Sequence, residues 1–403
     1  MTTRTHSPRG KPSSLLGSRI GGFPRAFWVL FGGTFVNRLG TMVEPFIGVY
    51  LTQARGMSLA TAGLVMAVFG VGSLFSQLVA GWLADHVGRR ATLAGGMVAT
   101  AACMILLGYS TSLPAIVAVM AVLGLVVDAY RPASQALVAD LIPAHDRPRA
   151  FGLLFWAINL GFAVAMVAGG SLAREGFVWL FWIDAVSSLI FGFLVWRAVP
   201  ETRPARSAQA GGFREALKDR LMVVFVVTSL LYAFVYLQAY TTLPLAITGQ
   251  GLSTTAYGLA ISVNGILIVL VQPLVGPWLN RHDPGRTLAV GMAVVGAGFA
   301  LTALVSTTAG YAAAVAVWTL GEVVTAGMAG AVVAALAPPH LRGRYSGLFG
   351  FAWSAGGLLA PLAGTRLLAV GHEVLWVSVG AVGLVAAAGQ LAIAPAIRRR
   401  SAA

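Results

Sequence analysis

The sequence predicts an all-α integral membrane protein of twelve transmembrane helices, arranged as two pseudo-symmetric six-helix bundles. Three observations carry this. The chain of 403 residues is 58% hydrophobic and only 10% charged, with mean hydropathy +0.82, whereas soluble domains carry about 25% charged residues. Its apolar residues fall into twelve runs, each long enough to cross a bilayer as helix, which takes ~20 residues. Polar landmarks of the first half also return at an offset of 195 residues. Gln77 and Gly81 recur as Gln272 and Gly276, Pro143 as Pro338, and Arg147-x-Arg149-x-x-Gly152 as Arg342-x-Arg344-x-x-Gly347. Two parallel repeats joined by a linker are a recurrent carrier plan.

Taken in order, a basic tail, 1–25, precedes the first span. Its composition and the full-length apolar run after it argue against a cleaved leader. Spans follow near 26–53, 58–84, 91–110, 114–138, 150–172 and 176–198, forming a first bundle over 26–198. Ser58 suits the N-cap of the second. A polar linker, 199–218, leads to a second bundle over 219–397, with spans near 220–247, 253–279, 286–305, 309–336, 343–370 and 374–396. The tail 398–403 begins Arg398-Arg399-Arg400.

The net charge of +14 would suggest nucleic acid in a soluble chain, but 22 of the 27 Lys and Arg fall in segments on one face. Only Arg55, Arg174 and Arg366 occupy the opposite loops, and Arg38 and Arg131 lie within spans. That bias places both termini and the linker in the cytoplasm, in an inner (plasma) membrane. The expected partners are the bilayer and a small-molecule substrate, without nucleic acid, in a chain read as a monomer. A single cysteine, Cys103, supports neither a disulfide framework nor a cysteine metal cluster. No phosphate-binding loop, no H-E-x-x-H and no nucleophilic triad spacing is present. All six histidines fall in tails or loops. The chain therefore reads as neither an enzyme nor an ATP-driven pump, with no cofactor and no metal.

Six ionisable residues fall within spans: Arg38, Glu44, Asp128, Arg131, Asp184 and Glu322. Such groups are costly in a membrane and face a bundle interior or a wet cavity. Asp128 and Arg131 share a helix face, with Gln135 continuing the stripe. Asn37, Thr41 and Glu44 form a stripe on the first span, with Arg38 about 100° round. Tyr232, Tyr236 and Tyr240 recur every four residues on the seventh span, with Gln238 close by. Asn264 stands on the eighth, and Trp318, Glu322 and Thr325 share a face of the tenth. Asp184 reads as a helix–helix hydrogen-bond site. Four acids against two arginines leave an excess of two. Asp128 has Arg131 beside it, so Glu322, and after it Glu44, are the better candidates to take up and release a proton.

The stretch Gly81-Trp-Leu-Ala-Asp85-His-Val-Gly88-Arg89-Arg90, between the second and third spans, resembles the signature loop of the major facilitator superfamily. That resemblance implies a cavity lined by the first, fourth, seventh and tenth spans. It makes Asn37, Arg38, Gln135, Tyr232, Tyr236, Tyr240, Gln238, Asn264 and Trp318 candidate cavity residues. The segment from Asp128 to Pro143, with Arg147-x-Arg149-Ala-Phe-Gly152, is similar to the twelve-span drug:proton antiporter branch, especially its MdtH-like exporters. By that resemblance Arg131 is linked to proton transfer, and Asp140 meets Arg89. Gly81, Asp85, Gly88, Arg89, Arg90 and Asp140 would then form a conformational gate. The fifth span departs from the branch. Gly161-x-x-x-Ala165-x-x-x-Gly169-Gly170 suits close helix packing, but the Gly-Pro pair of many exporters is missing. The leading expectation is a secondary, proton-coupled exporter of drug-like or amphiphilic molecules. The alternatives are an importer of a metabolite, a lipid-linked flippase, or a non-transporting membrane sensor.

Overall fold

The computed structural model describes residues 22–127, 130–143, 146–201, 213–279, 281–338 and 341–401. These residues are helical nearly throughout. Ten of their helices are long and apolar enough to cross a membrane. The two remaining expected spans, the first and the fourth, are present as shorter pieces.

The first span is α1 (Arg25–Gly40), α2 (Val43–Val49) and a π turn over Tyr50–Ala54, rather than one helix over 26–53. Thr41 and Met42 interrupt it. The helical angles used to place Asn37, Thr41 and Glu44 on one stripe therefore do not hold across the break. A backbone break in a membrane needs partners for the freed N–H groups. Here the buried Asp184 carboxylate supplies one, accepting from Val43 N at 3.5 Å, and this makes Asp184 a helix–helix tie as expected. The fourth span is α5 (Leu113–Val127) followed by α6 (Tyr130–Leu141).

The other elements of the first half are α3 (Leu59–His86), α4 (Arg89–Tyr109), α7 (Arg147–Glu175) and α8 (Val178–Ala198). Ser58 caps α3 through Thr61 N at 3.1 Å. A short helix, α9 (Phe213–Lys218), lies inside the segment expected as a linker. The second half holds α10 (Arg220–Thr241), α11 (Leu243–Gly249), α12 (Thr254–Leu279), α13 (Pro284–Leu301), α14 (Thr308–Leu336), α15 (Arg342–Val370) and α16 (His372–Ser401). The seventh span is thus divided at Thr242, where Pro244 starts a new helix.

The halves meet through α7 against α12 and α3 against α15. Small residues make these seams. A Cβ on Gly258 would collide with Met166 O, while one on Gly170 would stand 2.7 Å from Thr254 O and one on Gly70 2.6 Å from Leu358 Cα. The glycines expected to allow close packing on the fifth span do so. Gly161 lies against Arg38, Gly169 against Phe46 and Met42, and Gly170 against α12. These approaches run from mid-membrane toward the helix ends away from Arg89, Arg90 and Arg344.

Candidate functional site

Glu322 stands mid-way along α14, and two other elements, α10 and α12, converge on its carboxyl group. The four-residue spacing on α10 turns Tyr232, Tyr236 and Tyr240 to one side. Tyr236 Oη donates to Glu322 Oε1 at 2.8 Å, and its oxygen lies 3.2 Å from Tyr240 Oη. From α12, Asn264 Nδ2 reaches Glu322 Oε2 at 2.5 Å and Thr319 Oγ1 at 3.1 Å. Tyr232 Oη lies 2.7 Å from Thr325 Oγ1. Among the described residues Glu322 makes no ion pair, so both carboxyl oxygens are held by neutral donors.

Aromatic rings wall this group. Trp318 stacks on Phe299 at 5.4 Å and meets Tyr236 edge-on at 6.1 Å. Trp353 of α15 meets Tyr236 at 5.6 Å and Tyr232 at 5.9 Å. Trp318 is fully buried and Tyr232 nearly so, so they form the back of the wall, while Tyr236, Tyr240 and Trp353 are half-buried. Trp353 was missed from sequence. Its signal was a lone tryptophan among Gly, Ala and Ser on a span.

Two expected cavity residues are placed elsewhere. Gln238 is wholly buried, its amide near Ala360 O at 3.4 Å and Thr242 Oγ1 at 2.6 Å. It turns toward α15, about 160° round α10 from Tyr236 on the same helix. Asn37 is also buried and donates to Ser188 Oγ on α8 at 3.1 Å. Both tie helices together.

Across the cleft, Glu44 is exposed although Val43, Pro45 and Phe46 beside it are buried. Arg38 donates to Tyr130 Oη and sits 5.5 Å from that ring's centre. Phe162 of α7 meets Tyr240 at 5.9 Å. Gln135 is exposed on α6. Asp128 lies outside the described residues, as do the side chain of Arg131 and hence the expected Asp128–Arg131 pair.

At the basic face, Arg89 pairs with Asp140, joining the loop to the end of α6. Gly88 has φ +119°, a conformation that favours glycine. Arg90 lies 4.7 Å from the Trp196 ring centre. Glu201 was not anticipated. Its carboxylate accepts from Arg90 N at 2.9 Å and Ala91 N at 3.1 Å, which caps the start of α4. A Cβ on Gly88 would lie 2.5 Å from that carboxyl carbon, so Gly88 serves both the turn and the cap. Gly81 and Asp85 lie on the last turns of α3, and the Asp85 side chain is outside the described residues. Of the histidines, His86 and His372 stand at helix ends rather than in loops.

Comparison with known proteins bears on this arrangement. The Major Facilitator Superfamily model matches residues 30–361. The chain belongs to the major facilitator superfamily. It is thus a multi-pass membrane protein and a secondary transporter, and the family is one of transporters, not enzymes. It is 24% identical over 375 residues to a Na(+), Li(+), K(+)/H(+) antiporter of Planococcus maritimus, covering 83% of this chain and 87% of that one. It is 23% identical to the multidrug resistance protein MdtH of Yersinia enterocolitica, covering 86% and 89%. Among solved structures, a POT family transporter in complex with a thioalcohol conjugated peptide superposes with TM-score 0.80 at 16% identity, covering 94% and 98%. A mutant form of the nucleoside transporter NupG gives 0.72 at 16%, covering 93% and 100%. At such identities these two show the fold alone.

Proposed function

We propose that this transporter exports amphiphilic, drug-like molecules in exchange for protons, with Glu322 as the main proton site and Glu44 as the second. The supporting observation is the Glu322 carboxyl, set in an aromatic wall at the cleft and held by Tyr236 and Asn264 without an ion pair among the described residues. A carboxyl so placed changes charge when it binds a proton, and that change alters the cost of burying it as the cleft closes. The relatives' printed names, a proton antiporter and a multidrug resistance protein, support exchange and export. The site fits an organic molecule better than an alkali ion. Hard cations want six or so oxygen ligands, whereas Asn264 turns N–H donors toward the carboxyl. Arg131, Asp128, Asp85 and the Arg89–Asp140 pair are proposed in their family roles. A plasma-membrane location with cytoplasmic termini is proposed from the arginine bias.

The test is substrate-dependent proton flux in proteoliposomes, with a panel of organic cations, neutral drugs and sugars. Glu322→Gln mimics the protonated form and is expected to abolish proton-driven export while keeping pH-independent binding. If Glu322→Gln still exports and Glu44→Gln does not, the order is reversed. If both single variants couple, the carriage is not proton-driven through these acids.

A further inference from the structure

We propose that the hydroxyls of Tyr236 and Tyr240 form a two-member relay that carries the protonation state of Glu322 to the cleft. Tyr240 presents an acceptor there when Glu322 is ionised and a donor when it is protonated. The proposal rests on the reading of Glu322 as the proton site.

The directions follow from counting protons. An ionised carboxylate only accepts, and a phenol has one proton to give. Tyr236 gives its proton to Glu322 Oε1 at 2.8 Å. At the 3.2 Å contact between the two phenols, Tyr240 is therefore the donor. Its single proton is used, and its remaining lone pair is what the cleft meets.

A proton added to Glu322 reverses the chain. It has two places to go. Oε2 faces Asn264 Nδ2 at 2.5 Å. That amide edge is fixed by Thr319 Oγ1 at 3.1 Å, because the Thr319 hydroxyl spends its own proton on Val315 O at 2.7 Å and so only accepts from Asn264. A proton on Oε2 would meet N–H groups. It settles on Oε1 and donates to Tyr236, which turns its proton to Tyr240. The Tyr240 hydroxyl, now an acceptor from Tyr236, keeps its proton and points it toward the cleft as a hydrogen-bond donor. One proton arrives at Glu322, none leaves, and two hydroxyls rotate.

Tyr240 is placed to deliver that change to the other half. Its ring meets Phe162 of α7 in the first half at 5.9 Å. Glu44, exposed in the first half, has the carboxylate chemistry to accept that hydrogen bond. The titratable groups on elements packed against α14 are few. Those of α10 are Arg220, at its first residue, and the three tyrosines. Tyr257 of α12 donates to Ala239 O, Tyr345 of α15 to Asp219, and His372 of α16 contacts Thr302 O. Arg286, Arg344, Arg366, Glu373, Arg398, Arg399 and Arg400 stand near helix ends. Among the described residues, Tyr236 and Asn264 are the groups bonded to the carboxyl. Tyr232 provides an internal control. It lies 2.7 Å from Thr325 Oγ1, whose proton goes to the Glu322 backbone oxygen at 3.0 Å. Tyr232 is thereby committed to a backbone-anchored hydroxyl and does not read the carboxyl.

The test is pH-difference infrared spectroscopy of the full chain in liposomes, which needs no substrate. The expected result is a protonated-carboxyl stretch, lost in Glu322→Gln, accompanied by tyrosine C–OH bands. Tyr240→Phe should remove part of the tyrosine signal and leave the carboxyl band. Tyr236→Phe should remove all of the tyrosine signal, and Tyr232→Phe none of it. A carboxyl band that titrates without tyrosine bands, or tyrosine bands that survive Tyr236→Phe, overturns the relay alone. A carboxyl band unaffected by Glu322→Gln overturns the proton-site reading, and the relay with it.

Discussion

Asp219 and Glu322 each accept from a tyrosine, yet their surroundings give them opposite work. Asp219 sits outside the spans. It caps α10 through Leu221 N at 3.1 Å and accepts from Tyr345 Oη at 2.7 Å and Arg400 Nη1 at 2.6 Å. Burial pushes its carboxyl up, but the Tyr345 and Arg400 contacts outweigh that and hold it below the usual carboxylate range. A carboxyl lowered on folding stabilises at pH above its unfolded value, about 3.9, and loses that contribution as pH falls through the folded value. Asp219→Ala is expected to destabilise the protein by about 1–3 kcal/mol at neutral pH, and Asp219→Asn by less, because asparagine keeps the cap. Thermal unfolding in detergent should show both deficits shrinking below about pH 4; a deficit unchanged in acid would mean that the charge is irrelevant. Glu322 was legible as a lone acid on an otherwise apolar span. Gln238 and Asn37 were not legible as helix ties, because a membrane helix can turn a polar group toward a neighbour or toward a cavity with the same local pattern.

Between elements, the signature loop is held at two points rather than one. The Arg89–Asp140 pair was readable through family resemblance, but Glu201 was not, since 111 residues separate it from Arg90. The second repeat solves the same problem by another route. At the position matching Gly88, Asp283 caps α13 itself through Arg286 N at 2.9 Å, and Arg398 supplies the counter-charge at 3.9 Å. Arg89→Ala and Asp140→Asn are expected to slow transport several-fold each, with a double variant no worse than either. Transport rates that multiply would show that the two residues act separately. Adding Glu201→Gln should slow transport further, because it releases a different contact. The seam between α7 and α12 gives a second prediction. A methyl on Gly258 meets backbone at Met166 and Gly170, which cannot yield as a side chain can. Gly258→Ala should bias the equilibrium away from the state in which this seam is closed, by about 1–3 kcal/mol. Labelling of Gln250→Cys from that face should rise and transport fall, and unchanged labelling would place the seam outside the conformational switch.

For the whole molecule, the arginine bias makes a topological prediction. Ser207→Cys and Thr111→Cys are expected to label from opposite sides of the membrane, with little background because Cys103 is buried. Labelling of both from the outer side would sink the orientation.

Composition and periodicity determined the helical membrane fold, and the repeat determined the two-bundle plan, because apolar length and spaced glycines are local properties of a chain in lipid. The lone acid on α14 and the Arg89–Asp140 pair were also within reach, the first from composition and the second from family resemblance. Tertiary structure decided where the first span breaks, since the break at Thr41 and Met42 is stabilised by Asp184 from a distant helix. It likewise decided which face of each helix meets the cleft, bringing Trp353 to the site and taking Gln238 and Asn37 from it. Tyr236 touches Glu322 across 86 residues of chain. Such a contact is set by how helices rotate against each other, and helix rotation is fixed by packing between elements rather than by the pattern along any one of them.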